Sequence, residues 1–74
     1  MTGNAEVAVG QIWRNVYDVN VRIDRKGPLY RDGEVADVWW ATVCDEQGNT
    51  VGIQVPFDVD GFPGSLWTLT GGMS

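Results

Sequence analysis

The sequence contains no histidine and only one cysteine, Cys44, and these absences exclude much of the usual chemistry of functional sites. A structural zinc site needs several Cys or His ligands, and an internal disulfide needs two thiols. Histidine is also the side chain that most readily acts as a general base near neutral pH. Cys44 lies in an apolar segment without a cation nearby in sequence, which is typical of a small buried hydrophobe. We therefore expect a protein that is not an enzyme and that binds no metal and no cofactor.

Positive charge is absent from the second part of the chain. All five basic residues precede Asp32, and residues 32–74 carry seven carboxylates without a cation. The net charge is −5 and the pI is near 4.2, so the protein repels phosphate over a Debye length of about 8 Å at physiological salt. The charge therefore favours a protein partner with a basic patch and disfavours a nucleic-acid ligand. The basic residues are Arg14, Arg22, Arg25, Lys26 and Arg31.

Long apolar runs are also missing. No segment approaches the roughly 20 apolar residues that span a bilayer, and no charged leader with an apolar stretch opens the chain. We expect a soluble, cytoplasmic protein without a membrane contact, and the lone thiol fits a reducing compartment. Val and Ile number 14, Leu and Met only 5, and Gly and Pro 13, which indicates short strands separated by turns.

Strict alternation of apolar and polar residues predicts two half-buried strands, at residues 17–24 and 51–57. Pro56 cannot donate to a ladder, so we expect it at a strand end or on an edge strand. Three further strands are predicted at residues 7–13, 35–44 and 66–70, with Gly10 as a bulge and turns at 14–15, 24–33, 45–49 and 58–65. The predicted core faces of the alternating strands carry Tyr17, Val19, Val21 and Ile23, and Val51, Ile53, Val55 and Phe57.

Five short strands cannot cover a large open sheet, so we expect an all-β fold that closes into a small five-stranded SH3-like barrel. The predicted domain covers residues 6–70, with loose ends at 1–5 and 71–74. The segment Val9-Gly10-Gln11-Ile12-Trp13 resembles the V-x-V-G-Q-x-W opening of small uncharacterised barrel proteins of actinobacteria and their phages. This resemblance to SH3-like and Tudor-like modules implies a fold and leaves the function open.

The tandem Trp39-Trp40 is the first candidate binding site. Adjacent side chains of a strand point to opposite faces, so one indole is expected in the core and the other on the outside. The outward indole is either a contact surface for another chain or is covered by the connection 25–34 or by the C-terminal tail. The surrounding segment 38–43 is similar to the second half of a PWWP-type opening but lacks both prolines of that motif, so chromatin binding is not carried over.

Tyr30 is a second candidate because it lies among three cations in the segment 25–31. Basic and aromatic side chains together can bind phosphate or single-stranded bases, although a solvated loop with surface ion pairs explains the same composition. Aromatic residues beside a carboxylate could also hold a methylated cation, as in Tudor-like barrels, but the core needs the same aromatics.

Asp58-Val59-Asp60-Gly61 has the alternating carboxylates that begin a calcium loop, but the later ligands are missing from the sequence, and turn chemistry explains Asp60-Gly61. We predict instead that these carboxylates belong to an acidic side that docks on a basic patch of a larger protein. The residues of this predicted acidic side are Asp37, Asp45, Glu46, Asp58 and Asp60.

Three functional hypotheses follow from these observations. The first is a regulatory or adaptor module that binds a protein through the acidic side and an outward Trp. The second is a homo-oligomer, such as a component of a phage assembly, that pairs through an apolar outer face. The third is an acidic mimic of nucleic acid that occupies a DNA- or RNA-binding protein, which requires the carboxylates after Asp32 to line one ridge.

Overall fold

A computed structural model describes residues 6–72 and shows five strands and no helix in that range. The strands form one antiparallel sheet with the order β4-β3-β2-β1-β5. The all-β, five-stranded prediction is therefore confirmed, and the described part of the chain has no helix that could cross a membrane. The strands are β1 (Ile12–Asn15), β2 (Asn20–Arg31), β3 (Glu34–Cys44), β4 (Thr50–Asp58) and β5 (Trp67–Gly71).

The predicted barrel closure is not present in the hydrogen bonding of the sheet. β4 and β5 are its two edges, and within residues 6–72 they do not pair with each other. Side chains connect the two edges instead, because the ring of Phe57 in β4 lies 5.2 Å from that of Trp67 in β5, centroid to centroid. The sheet thus curls until aromatic contacts join its edges, without a closed ladder.

The core lies on the concave side of this curled sheet. Its buried members are Trp13, Val21, Ile23, Ala41 and Phe62. Phe62 comes from the connection between β4 and β5, and its ring contacts those of Trp13 and Phe57 at centroid distances of 5.5 and 4.7 Å. The indole Nε1 of Trp13 donates a 3.0 Å hydrogen bond to Oε1 of Gln11, so the one polar atom of this buried ring has a partner.

The first strand begins later than the sequence predicts. Residues 7–11 precede it, and Gly10 adopts a φ of 94° in a turn that Gln11 closes by donating from its backbone N–H to the Ala8 carbonyl. The N–H of Gly10 donates to the Ile23 carbonyl at 2.8 Å and the N–H of Ile23 donates to the Gln11 carbonyl at 2.9 Å, so Gly10 and Gln11 together oppose Ile23 and form the predicted bulge. Glycine is favoured at position 10 because the first residue of such a bulge has a left-handed backbone. The predicted turn at residues 14–15 is wrong, because these residues lie in β1.

The turn between β1 and β2 occupies the first half of the strand predicted at residues 17–24. The Asn15 side chain accepts hydrogen bonds from the backbone N–H groups of Tyr17 and Val19, at 2.8 and 3.0 Å. Such local bonding by an Asn side chain stabilises a turn against a ladder. Tyr17 is consequently 79% exposed, whereas Val21 and Ile23 are each 1% exposed, as the alternation predicts.

The connection predicted at residues 24–33 is the largest correction, because it is a β-hairpin. β2 runs to Arg31, β3 begins at Glu34, and only Asp32 and Gly33 lie between them, with φ values of 53° and 80°. Positive φ at both positions is the type I′ geometry that matches the twist of the flanking strands, and Asp-Gly is a preferred sequence for it. The hairpin signal was in the sequence, but the cations and Pro28 around it suggested a loop.

The end of this hairpin extends beyond the rest of the sheet. The β3–β4 pairing stops at Val38 opposite Asp58, and the β1–β2 pairing lies at the other end of β2, at residues 20–22. Within the described chain, residues 28–37 therefore pair only with each other. We call residues 28–37 the arm.

β4 is only half buried in the predicted manner. Val55 and Phe57 are partly buried, but Val51 and Ile53 are 65% and 73% exposed. The ladder is irregular here, because Thr42 pairs with Gln54 whereas Cys44 pairs with Thr50. Residues 51–53 of β4 therefore lie opposite the single residue Val43. The predicted burial of Val51 and Ile53 is wrong, and the expectation that Pro56 lies on an edge strand is confirmed. β5 ends at Gly71, one residue beyond the strand predicted at residues 66–70, and residues 1–5 and 73–74, predicted as loose ends, lie outside the described chain.

Candidate functional site

The two adjacent tryptophans lie on opposite faces of β3, as the strand geometry predicts. Trp39 packs against the core cluster, and Trp40 is on the other side of the sheet. Each indole is partly buried beneath a cation from the paired strand. Nζ of Lys26 lies 5.7 Å from the ring centroid of Trp39, and Cζ of Arg25 lies 5.2 Å from that of Trp40. The cover over Trp40 is thus a guanidinium from β2, and neither indole is a fully open anchor.

A polar network that the sequence did not reveal lies on the same face as Trp40. Asp24 is the extra residue of a bulge in β2, because Ile23 pairs with Ala41 and Arg25 with the next residue, Trp40. Its carboxylate accepts hydrogen bonds from Oγ1 of Thr42, from Nε2 of Gln54 at 3.1 Å and from Nε of Arg22 at 3.2 Å. Donors from β2, β3 and β4 therefore converge on one carboxylate.

The guanidinium of Arg22 extends the network to the β3–β4 turn. Nη1 donates to the Gly48 carbonyl at 2.7 Å, and Nη2 donates to Oγ1 of Thr50 at 3.2 Å. Partial burial by itself would raise the pKa of Asp24, but the hydrogen bonds from Thr42, Gln54 and Arg22 together outweigh it and lower the pKa. The network therefore joins β2, β3 and β4 through one carboxylate.

The carboxylate of Asp45, a member of the predicted acidic side, accepts hydrogen bonds within the β3–β4 turn. Oδ1 accepts hydrogen bonds from the backbone N–H groups of Asn49 and Gln47, both at 2.9 Å, and Oδ2 accepts from Nδ2 of Asn49 at 3.3 Å. These bonds, chiefly that from the backbone of Asn49, hold the pKa of Asp45 below its ordinary value. Glu46 follows it in the turn and is exposed. Asp45 therefore stabilises the β3–β4 connection.

The other three members of the predicted acidic side lie together. Asp37, Asp58 and Asp60 line one groove at the base of the arm, next to Ala36. A second groove shares Ala36 and Asp58 and continues along the arm to Asp32 and Glu34. Among the described residues these carboxylates do not form a cluster that could hold a metal ion.

The carboxylates therefore form two separate groups. Asp45 and Glu46 follow the last residue of β3, whereas Asp37 lies near its first residue. Eight residues of extended strand, at about 3.3 Å each, place roughly 26 Å between the two groups. The sequence could place each carboxylate beside a strand or turn, but the pairing of β3 with β4 decides which ones share a groove.

Tyr30 projects from the arm, where it is 74% exposed and sits directly opposite Val35, which is 61% exposed. Such an aromatic and β-branched cross-strand pair stabilises a two-stranded ribbon and leaves an apolar surface open to a partner. The cations of the segment 25–31 form no ion pair among the described residues, so the surface ion pairs predicted for this segment are absent there. The two ion pairs of the described chain are made by Arg14 and Arg22. Val35 was not among the predicted site residues, although the Asp-Gly turn signal would have placed it opposite Tyr30.

Cys44 is buried at the end of β3. Burial raises the pKa of its thiol, which the charge of Arg22 offsets only in part while the nearby carboxylates of Asp45 and Asp24 add to the increase. The thiolate is the nucleophilic form, so this position disfavours covalent chemistry.

The described surface thus offers a two-stranded arm with an exposed tyrosine, an acidic groove beside it, and a polar network that joins three strands of the sheet. No protein-family model, no curated protein and no solved structure matches the chain.

Proposed function

We propose that this chain is a non-enzymatic module that binds a protein partner with a basic patch, in a regulatory or adaptor role, and that the arm is its binding element. The observation that carries this proposal is the arm itself, which extends past its neighbours in the sheet and exposes Tyr30 and Val35. A ribbon of this kind contributes little to a core, so its exposed aromatic residue is better explained by contact with another molecule.

Charge supports the same partner. Asp37, Asp58 and Asp60 face solvent beside the arm, where complementary charge on a partner would speed encounter and select against acidic proteins. Tyrosine is enriched among the residues that carry most of the binding energy of interfaces, which makes Tyr30 the expected anchor. Trp39 and Trp40 have a smaller part in this proposal than in the sequence prediction, because Lys26 and Arg25 lie over them.

We further propose that the domain belongs to the SH3-like class and acts in the cytosol. The meander β2-β3-β4 and the position of β1 between β2 and β5 support this class, as do the aromatic contacts that join the sheet edges. The buried, unpaired thiol of Cys44 supports a reducing compartment.

The test is a comparison of two tyrosine variants in pull-downs from the source cells, read by quantitative mass spectrometry. Tyr30→Ser is expected to lower the recovery of specific basic partners by about tenfold, which is a typical loss for an anchor. Tyr17→Ser is the matched control, because Tyr17 is 79% exposed but lies in the β1–β2 turn rather than on the arm. Equal recovery with both variants would show that the arm is not the binding element.

A second candidate function is self-association, and the exposed edge strand β4 favours it. Val51 and Ile53 present apolar side chains at 65% and 73% exposure on a strand whose outer edge is unpaired in the described chain. Edge strands of this kind readily pair with another chain. The proposal expects light scattering at high protein concentration to show a dimer or larger species that Ile53→Lys dissociates, while Val16→Lys, at an exposed turn position, leaves it intact. A monomer at all concentrations would contradict it.

The hypothesis of a nucleic-acid mimic finds less support. It requires one continuous acidic ridge, whereas Asp45 and Glu46 lie at the opposite end of β3 from Asp37. We therefore do not propose it.

A further inference from the structure

We propose that the free edge of β3 in the arm accepts an extended basic peptide of the partner as an added β-strand. This inference rests on the proposed function and specifies how the partner binds. Four observations support it: the direction of the backbone groups of the arm, the position of Pro28, the groove beside the edge, and the distribution of charge along the two strands.

The register of the hairpin determines which backbone groups are free. In a hairpin with a two-residue turn, the residues that flank the turn form a hydrogen-bonded pair, here Arg31 and Glu34, and hydrogen-bonded and non-hydrogen-bonded pairs then alternate. Val35 and Asp37 belong to the non-hydrogen-bonded pairs, so their N–H and C=O groups point away from β2. The pairing of β4 ends opposite Val38, which leaves these groups without a strand partner in the described chain.

The opposite edge of the arm is less suited to accept a strand. Pro28 pairs with Asp37 and therefore occupies an outward-facing position of β2, where an ordinary residue would offer an N–H to an incoming strand. Proline offers none, and it is one of the residues that protect natural sheet edges from pairing. β2 thus presents an interrupted edge and β3 a complete one.

The chain leaves room beside the β3 edge. After Asp58 the backbone turns, with the N–H groups of Gly61 and Phe62 donating to the Asp58 carbonyl at 3.2 and 3.0 Å. Phe62 is anchored in the core, so the turn is held at a fixed place relative to the arm. The groove between this turn and the arm is lined by Ala36, Asp37, Val59 and Asp60. A strand added to β3 would continue the line of β4 across this groove.

Charge selects the occupant. The arm has one cation, Arg31, and three carboxylates, Asp32, Glu34 and Asp37. The turn after β4 adds two more carboxylates beside the arm, Asp58 and Asp60. An incoming strand with Lys or Arg at alternate positions would direct its cations to one face of the sheet, the face of Glu34 and Asp58, and its other side chains to the face of Val35 and Asp37. A second copy is a poorer occupant of this edge, because a symmetric pairing of two β3 edges would bring like charges together.

The test uses a synthetic peptide of alternating Lys and Val, acetylated and amidated at its ends. Binding is followed by heteronuclear NMR and amide hydrogen exchange of the intact chain. The proposal expects the amides of Val35 and Asp37 to gain at least tenfold protection from exchange when the peptide is bound, since hydrogen-bonded strand amides open only with the structure around them. The same peptide with N-methyl groups on every backbone nitrogen keeps its charge but has no N–H on either edge to donate to β3, and it should bind at least about tenfold more weakly.

Two variants of the chain test the same contact from the other side. Val35→Pro removes an outward N–H without removing a bond to β2, and it should lower the affinity for the Lys-Val peptide by about tenfold. Val35→Thr keeps the N–H and should bind the peptide as tightly as the parent chain does. The triple variant Asp37→Asn, Asp58→Asn, Asp60→Asn should lower affinity at low salt by about tenfold or more, while Glu46→Gln, at the other end of β3, should not. Intrinsic tryptophan fluorescence establishes that each variant is folded.

The outcomes separate this inference from the proposed function. If the N-methylated peptide bound as tightly as the Lys-Val peptide, the interaction would depend on charge alone, and the proposal of an added strand would be wrong. Protection of Val51 and Ile53 in place of Val35 and Asp37 would move the edge to β4 and also overturn it. If either occurs while Tyr30→Ser still lowers partner recovery by about tenfold, the arm remains the binding element and only the mode of binding is wrong. If the Lys-Val peptide protects the arm but Tyr30→Ser has no effect on recovery, the proposed function fails instead.

Discussion

Replacing Trp13 with alanine is expected to leave the chain largely unfolded at room temperature. Trp13 is 3% exposed, packs edge-to-face on Phe62, and belongs to the one buried cluster of the described chain. Removal of a buried Trp side chain costs about 3–5 kcal/mol, and a core of this size supplies net stability of about the same magnitude. Far-ultraviolet circular dichroism with a urea titration measures the effect, and the variant should lack a cooperative transition.

The matched control for this prediction is Tyr17→Ala. Tyr17 is also aromatic, but it is 79% exposed and contributes its backbone rather than its ring to the β1–β2 turn. Its removal should change the free energy of unfolding by less than about 0.5 kcal/mol. A cooperative transition in Trp13→Ala close to that of the parent chain would mean that the aromatic cluster is not the stabilising core.

Replacing Asp24 with alanine is expected to cost about 2 kcal/mol of folding stability at neutral pH. The change removes the acceptor for Thr42, Gln54 and Arg22 together, and the net contribution of a hydrogen bond to a charged group is about 1.5–3 kcal/mol. Asp18→Asn is the control, because Asp18 pairs with Arg14 at 3.6 Å with its side chain 87% exposed, and such pairs contribute little. Urea titration of both variants measures the difference, and equal losses would contradict a structural role for the network.

The effect of Asp24→Ala should also depend on pH. The pKa of Asp24 is lower in the folded chain than its ordinary value of 3.8, so its ionised form stabilises the fold above that pH. As the pH falls below 3.8 and through the folded-state pKa, the carboxylate takes up a proton and this contribution is lost. The stability difference between the parent chain and the variant should therefore narrow between about pH 5 and about pH 2. A constant difference across this interval would show that charge is not the cause.

The parts of the fold that could be predicted are those determined by local pattern. Burial of Val21 and Ile23 followed from their alternation with polar residues, and the opposed faces of Trp39 and Trp40 followed from strand geometry. The strand predicted from this alternation begins too early, at residue 17, whereas β2 begins at Asn20. The side chain of Asn15 accepts hydrogen bonds from two backbone N–H groups and stabilises a turn before that residue. A side-chain cap of this kind leaves no trace in hydrophobic periodicity.

The candidate site depended more on pairing between distant residues. The bulge at Asp24 brings its carboxylate to Thr42 and Gln54, which are 18 and 30 residues away in sequence. No spacing in the sequence indicates that meeting. The arm, in contrast, is predictable from Asp32-Gly33 with strand-forming residues on both sides, because Asp-Gly favours a two-residue hairpin turn. The cations before this turn favour a loop and conceal the hairpin.

The bulge at Asp24 has a consequence for how the length of the arm can change. The register at Ile23 and Ala41 is set by burial in the core, whereas the register at Arg31 and Glu34 is set by the Asp32-Gly33 turn. Asp24 is the one-residue offset that allows both registers to exist on the same two strands. Matched insertions or deletions of two residues in each strand of the arm preserve this offset, the alternation of hydrogen-bonded pairs and the faces of the side chains, and change only the reach of the hairpin. The domain is thus a fixed body with an extension that can be adjusted in length without repacking the residues beneath it.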